Sequence, residues 1–216
     1  MLAFTESRDR VEVAFTDRHR PSVDDALELA GWPEARPVGL HQVHGAAVHV
    51  ADDVPDEPPH ADGVVTTMPG LALTVRAADC VPLLLADQAR PVIGAAHCGR
   101  PGLVAGVVAA TVALMRSEGA DRIVAWVGPH VCGRCYEVPA QMRDDVAALV
   151  PAAYAETSWG TPSVDLGRGV RAQLEDAGVE VVHEVGRCTL EDLDLFSYRR
   201  EGAAAGRQAG LIWIRP

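Results

Sequence analysis

Three segments of the chain each deliver a side chain able to hold a soft or borderline cation: His44 in "HQVHG", Cys80 in "RAADCVPLLLAD" and His97 in "VIGAAHCGRPG". Two imidazoles and a thiolate leave one position of a tetrahedral zinc ion open, which is the ligand count of a catalytic rather than a structural site. Each residue also has a plainer reading, because a buried cysteine is usually a small hydrophobe and a lone histidine is usually hydrogen-bonded structure. Asp79, beside Cys80, could orient a ligand or position water, or simply close a turn. Cys80 as thiolate with His97 as base would instead make a hydrolase or deamidase.

A second motif, "CGRC" at Cys132 to Cys135, has the spacing of thiol redox pairs and zinc knuckles. A zinc knuckle needs a second pair, which is absent, and the motif does not open a helix after a thioredoxin-like strand. A structural role near the pocket is therefore expected.

The composition removes several function classes. With 216 residues the chain suits one domain, spanning residues 1–216, with a sizeable core. A net charge of −11 argues against nucleic acid and anionic membranes, which reward dense positive charge. All 19 basic residues are arginine, and the chain has neither lysine nor asparagine. Schiff-base lysines, P-loop lysines and Cys-His-Asn triads are thereby excluded. Five cysteines, an odd number, suit free thiols in a reducing compartment better than a disulfide framework. The first residues lack the basic start and apolar run of a signal peptide, and no apolar run is long enough to span a bilayer. A cytoplasmic protein acting on a small molecule is expected.

The elements that must position these side chains follow from periodicity. "VEVAF" alternates as a half-buried strand, "TDRHRPS" turns the chain, and "VDDALELAG" reads as a helix closed by Gly31. Short strands flank "HQVHG", where Gly45 is suited to a tight bend, and "ADDVPDEPPHAD" is an acidic surface loop. Four strand-length apolar runs between Asp62 and Ala96 read as the centre of a sheet, with Cys80 and His97 at strand ends. "GLVAGVVAATVALMRSEG" reads as one helix, with Leu103, Val107, Thr111 and Met115 on one face. "RIVAWVG", "EVVHEV" and "QAGLIWI" are further strands, and "VPAQMRDDVAALV" and "VDLGRGVRAQLEDAGV" further helices. Strands in runs with irregularly interspersed helices indicate an α+β layered sandwich with a mixed central sheet and packed helices.

Six segments, "HQVHG", "ADGVVTTMPGLALTVRAADCVPLLLAD", "VIGAAH", "VGPHVCGRCYEV", "RCT" and "FSYRRE…GRQAGLIW", resemble in order and spacing the laccase-domain (YfiH-type) purine nucleoside phosphorylase family, formerly labelled multicopper polyphenol oxidoreductases. The resemblance runs from about Val38 to Ile214. It implies an α+β sandwich and a zinc site made of His44, Cys80 and His97. It also implies phosphorolysis of adenosine, inosine, guanosine and methylthioadenosine, and deamination of adenosine. The older label implies copper, but multicopper chemistry needs clustered imidazoles, and the eight histidines here include no H-x-H pair.

Arg199 and Arg200 of "FSYRRE", with Arg187 and Arg207 near them in sequence, offer guanidinium forks that match phosphate oxygens. The alternative is a solvated turn paired with Glu201. His41, Gln42 and His130 are candidates for touching the substrate or for supporting the residues that do. The family's usual "AHAGWRG" is "AHCGRPG" here, so that Arg100 and Pro101 replace a tryptophan and an arginine. Pro101 suits the start of the following helix, and Arg100 either takes over from the family arginine, contacting phosphate or the substrate's developing negative charge, or lies on the surface in the place of the family tryptophan. A degenerate pocket, leaving a metal-binding protein without catalysis, is the non-enzymatic alternative.

Overall fold

Strands whose residues are apolar on both faces are covered on both faces, and this chain stacks two such sheets. The computed structural model describes residues 2–19 and 22–215. In chain order the elements are β1 (Leu2–Arg8), β2 (Val11–Thr16), α1 (Val23–Ala30), β3 (Arg36–Val38), β4 (Val48–Val50), β5 (Gly63–Thr66), β6 (Leu71–Ala77), β7 (Val81–Asp87) and β8 (Ile93–Cys98). They continue with α2 (Arg100–Ala105), α3 (Val107–Ser117), β9 (Ile123–Val127), α4 (Ala140–Leu149), β10 (Tyr154–Glu156), β11 (Pro162–Val164), α5 (Leu166–Asp176), β12 (Glu180–Glu184), α6 (Tyr198–Glu201) and β13 (Gln208–Ile214).

One sheet has the order β1-β2-β13-β6-β3 and the other β12-β9-β7-β8-β5-β4, while β10 and β11 pair apart. Both large sheets are mixed: β3 runs parallel to β6, and β4 to β5 and β12 to β9, with the remaining pairs antiparallel. Between the sheets lie Phe15, Leu71, Leu73, Val75 and Ile212 from one and Leu84, Ile93, Val124 and Trp126 from the other. The alternate residues Leu83, Leu85, Ala125 and Val127 face away, against Leu103, Val108, Val112, Met115, Val170 and Leu174 of the helices. On the outer face of the first sheet, Ala14, Ala72, Leu211 and Trp213 meet Ala26, Leu27 and Trp32 at α1. The result is helix, sheet, sheet, helices, the expected α+β sandwich in four layers.

Three local expectations change. β6 joins the first sheet and β7 the second, so the apolar runs between Asp62 and Ala96 belong to two sheets rather than one. Their sequences are equally apolar and give no sign of which sheet each enters. The helix expected from Gly102 to Gly119 is two helices, because Gly106 adopts φ 85 and ends α2 with a left-handed residue. β2 is buried throughout rather than half-buried, since α1 and the second sheet cover its two faces. The turn before α1 includes Arg20 and Pro21, which lie outside the described residues. Ser22 caps α1, its hydroxyl accepting from the N–H of Asp25 at 3.4 Å.

Chain crossings set up the functional end. After β6 the chain passes through Ala78, Asp79 and Cys80 from the first sheet into β7 of the second. His97 stands opposite Pro82 near the end of β8, at the same edge. Among the described residues no helix is long and apolar enough to cross a membrane.

Candidate metal centre and cleft

His44, Cys80 and His97 converge, with one potential ligand atom from each within 4.8 Å of the others. The Cys80 sulfur lies 3.9 Å from His44 Nε2, and the two imidazoles meet edge to face with centroids 4.8 Å apart. His97 is buried, Cys80 half-buried and His44 exposed, so the group opens outward. Gly99 provides the room: a Cβ there would lie 2.7 Å from His44 Cδ2 and 3.1 Å from the Cys80 sulfur.

The residue that holds the group together is Asp62, which sequence reasoning missed. The antiparallel register of β5 on β8 pairs Gly63 with Ala96 and brings the preceding Asp62 beside His97. Its buried carboxylate accepts from His97 Nδ1 at 2.8 Å. It also accepts from three successive backbone N–H groups, those of Val43 (3.1 Å), His44 (2.9 Å) and Gly45 (2.6 Å), a nest of the kind that binds anions. Asp62 thus fixes the His97 tautomer, leaving Nε2 for a cation, and folds the His44 turn, as carboxylates behind metal-bound histidines commonly do. The left-handed residue of that turn is His44 itself, at φ 60, rather than Gly45. Asp79, at φ 92, is the other non-glycine residue near the group with a left-handed backbone. Such strain persists only where surrounding bonds enforce it, and it gathers at functional sites.

The electrostatics are those of a ligand set. Burial alone would raise the Cys80 thiol, but the hydrogen bonds and charges of His44 and His97 outweigh it and lower its pKa to about 7. Burial opposes the charged form of His97, yet Asp62 and Cys80 raise it to about 9. Asp62 is held below the ordinary carboxylate range, since His97 and the nest N–H groups overcome its burial. A thiolate, two imidazoles and a carboxylate behind one of them fit a divalent cation of the borderline-soft class.

The three residues lie in a cleft of about 840 Å³. Four arginines line it, Arg76, Arg100, Arg199 and Arg207, together with Tyr136 and Tyr198. Of the arginines singled out in the sequence, Arg100 and Arg199 are among these. Arg100 caps nothing: α2 begins at Arg100 itself, with Gly99 before it and Pro101 after. Arg76 and the two tyrosines gave no signal in the sequence, an isolated arginine in an apolar strand being unremarkable. Burial and the Cys80 charge raise the Tyr136 hydroxyl, against the opposing influence of Arg100 and Arg199.

Other expected contacts find different work. Gln42 stands in the cleft wall, but its amide is paired with the backbone of Arg76, donating to the carbonyl at 2.7 Å and accepting from the N–H at 2.8 Å. Asp79 faces the cleft and accepts from Thr189 Oγ1 and from the N–H of Arg199, both at 2.7 Å, so it anchors α6. Arg199 donates to the Glu137 carbonyl at 2.7 Å and stacks 4.8 Å over Tyr136. Arg200 does not line the cleft. Its guanidinium donates to the carbonyls of Thr189 (2.7 Å), Leu190 (3.1 Å), Asp192 (3.2 Å) and Leu195, and pairs with Glu201, which makes it a brace for the loop before α6. Arg187 pairs with Asp192, His41 lies tilted against His60 with ring centroids 4.2 Å apart, and His130 bonds the Gly128 carbonyl. None of these three lines the cleft.

Comparison with known proteins agrees with this geometry. Residues 16–215 match the family model described as multi-copper polyphenol oxidoreductase laccase. A purine nucleoside phosphorylase of Streptomyces coelicolor is 56% identical over 194 residues, 88% of this chain and 79% of that one. Another, from Streptomyces griseus, is 53% identical over 194 residues, covering 88% and 78%. The crystal structure of a Neisseria meningitidis protein of the DUF152 family superposes with a TM-score of 0.84 at 27% identity, covering 100% of this chain and 99% of that one. With residues 16–215 matched by the family model and the sandwich shared, this chain belongs to the laccase-like multi-copper polyphenol oxidoreductase family, in which curated relatives carry the name purine nucleoside phosphorylase.

Proposed function

We propose that the chain is a zinc-dependent purine nucleoside phosphorylase that also deaminates adenosine, with adenosine, inosine, guanosine and methylthioadenosine as phosphorolysis substrates. One observation carries the reading: His44, Cys80 and His97 meet in a cleft that four arginines also line, in a chain of net charge −11. That local reversal of charge suits an anion of the size of phosphate. The names of the relatives supply the purine nucleoside.

Zinc, rather than copper, suits the donors. A blue-copper centre adds a weak axial methionine or glutamine to His₂Cys; among the described residues no methionine lines this cleft, and the amide of Gln42 is paired with the backbone of Arg76. Zinc held there supplies Lewis-acid polarisation at one open position. The chain's own groups do the rest. Arg100 and Arg199 hold phosphate while one of its oxygens attacks ribose C1′. The glycosidic C–N bond breaks with its electron pair leaving on the purine, which then takes up a proton. Tyr136 and Tyr198 offer ring faces to the nucleoside. The reading also assigns the protein to the cytoplasm, where a thiolate ligand stays reduced.

The test is a nucleoside panel with and without phosphate. Free base should appear from inosine only when phosphate is present, whereas conversion of adenosine to inosine should proceed without it. Equal base release in both conditions would make the protein a hydrolase. A second reading, a Cys-His hydrolase, is favoured by the low Cys80 thiol beside a readily protonated His97. Chelation separates the two, because activity that survives metal removal belongs to the thiolate mechanism.

A further inference from the structure

The second metal-ligand cluster lies outside the cleft. The knuckle partner that "CGRC" lacks in sequence is supplied by the fold: Cys188 and Glu191, with the same two-residue spacing, come to Cys132 and Cys135 across 56 positions. All four donor atoms lie within 4.8 Å of one another. The Cys132 N–H points at the Cys188 sulfur at 3.4 Å, and the Cys135 sulfur lies 3.4 Å from Glu191 Oε1.

We infer that Cys132, Cys135, Cys188 and Glu191 form a second metal site, a closed four-donor site for zinc that is structural rather than catalytic. Four protein donors with none left open define that class. Around zinc the sulfurs would stand about 3.8 Å apart, from a Zn–S length of about 2.3 Å, so the observed spread needs a contraction of about 1 Å at most. The N–H groups of Cys132, Leu190 and Glu191 all address the Cys188 sulfur, the hydrogen-bond pattern that thiolate ligands take. A divalent ion offsets half of the negative charge the donors carry as ligands, and Arg134, hydrogen-bonded to Cys132, offsets a further unit. A disulfide would use two sulfurs and strand the third beside the carboxylate.

The ion would clamp two walls of the cleft. Tyr136 follows Cys135 directly, and Thr189 follows Cys188 and donates to Asp79, which in turn holds the Arg199 N–H. One metal therefore joins the loop carrying Tyr136 to the loop that leads into α6 and Arg199.

The site is tested on the full chain, purified with zinc and reductant, by elemental analysis. The wild type should carry about two zinc ions per chain, Cys188→Ser one, and Cys80→Ser one. Cobalt substitution in Cys80→Ser should retain thiolate-to-cobalt charge transfer, since the remaining thiolates sit at the second site. Glu191→Ala alters only an exposed side chain and keeps the test open if Cys188→Ser does not fold. It should weaken the second ion about 10-fold or more in chelator competition, outer-contact losses of about 10–100-fold setting the floor. One zinc in both wild type and Cys188→Ser, no thiolate band in cobalt-loaded Cys80→Ser, or an unchanged affinity in Glu191→Ala would each overturn the inference. A freshly purified chain that shows three thiols instead of five when unfolded in denaturant with chelator would do the same.

Discussion

Asp62 Oδ1 and His97 Nδ1 stand 2.8 Å apart with both side chains buried, and the same carboxylate gathers the three N–H groups that turn the chain at His44. One acid thus positions two of the three ligands. Asp62→Asn keeps the size but sets an amide against N–H donors that need an acceptor. Zinc affinity at the His44 site should fall about 10–100-fold. Stability should drop by about 3–5 kcal/mol, the usual result of removing one partner from a buried ion pair. Chelator competition and urea unfolding measure the two effects, and wild-type zinc affinity would show that Asp62 is dispensable.

Gly99→Ala probes the space beside the ligands. The added methyl would press on His44 Cδ2 and the Cys80 sulfur, while the neighbouring β8 and α2 backbone needs no left-handed angle at Gly99. Zinc should be lost from this site with the melting temperature of the zinc-free protein nearly unchanged. Full occupancy in the variant would mean that His44 moves freely.

Arg100→Ala tests the departure from the family's usual "AHAGWRG". If the guanidinium holds phosphate, kcat/KM for phosphorolysis should fall by the equivalent of about 1.5–3 kcal/mol, the worth of a hydrogen bond to a charged group. The loss should concentrate in the phosphate KM, with zinc content and phosphate-independent deamination retained. A phosphate titration matching wild type would assign Arg100 to packing against Tyr136.

Asp87 carries a pH-dependent share of stability. At the far end of β7 its buried carboxylate accepts from the N–H groups of Ala89 (2.9 Å), Arg90 (2.7 Å), Asp121 (2.7 Å) and Arg122 (2.7 Å). Burial opposes ionisation, and these four donors overcome it, so the folded pKa is lowered. Stability from a depressed carboxylate is fully present above the unfolded value of about 3.9 and is lost as pH falls through the folded one. Asp87→Ala should therefore cost about 2–4 kcal/mol at pH 7 and progressively less below about pH 4. Urea midpoints across that range supply the check, and a pH-independent difference would contradict the assignment.

The convergence of His44, Cys80 and His97 was legible because thiolate and imidazole are rare donors whose count already suggests a chemistry. The fold class was legible from strands in runs. Asp62 was not, because it is one carboxylate in the acidic stretch "ADDVPDEPPHAD", and only the β5 to β8 register puts it beside His97. Cys188 and Glu191 were hidden by distance along the chain and by a glutamate standing where a knuckle has a cysteine. Arg200 misled in the opposite direction: its spelling within "FSYRRE" marks a motif, but its guanidinium is occupied by carbonyls of its own loop.

The passage of the chain from β6 to β7 puts Cys80 on the seam between the two sheets, whereas His97 belongs to the second sheet alone. The sulfur and the imidazole are thus fixed to different halves of the sandwich, and the distance between them is a reading of how the halves are seated. A metal ion held across that seam would work as a rivet. Anything that lets one sheet slide on the other, including a cavity opened around Leu84 or Trp126 far from the ligands, should register first as weaker metal retention and only later as unfolding.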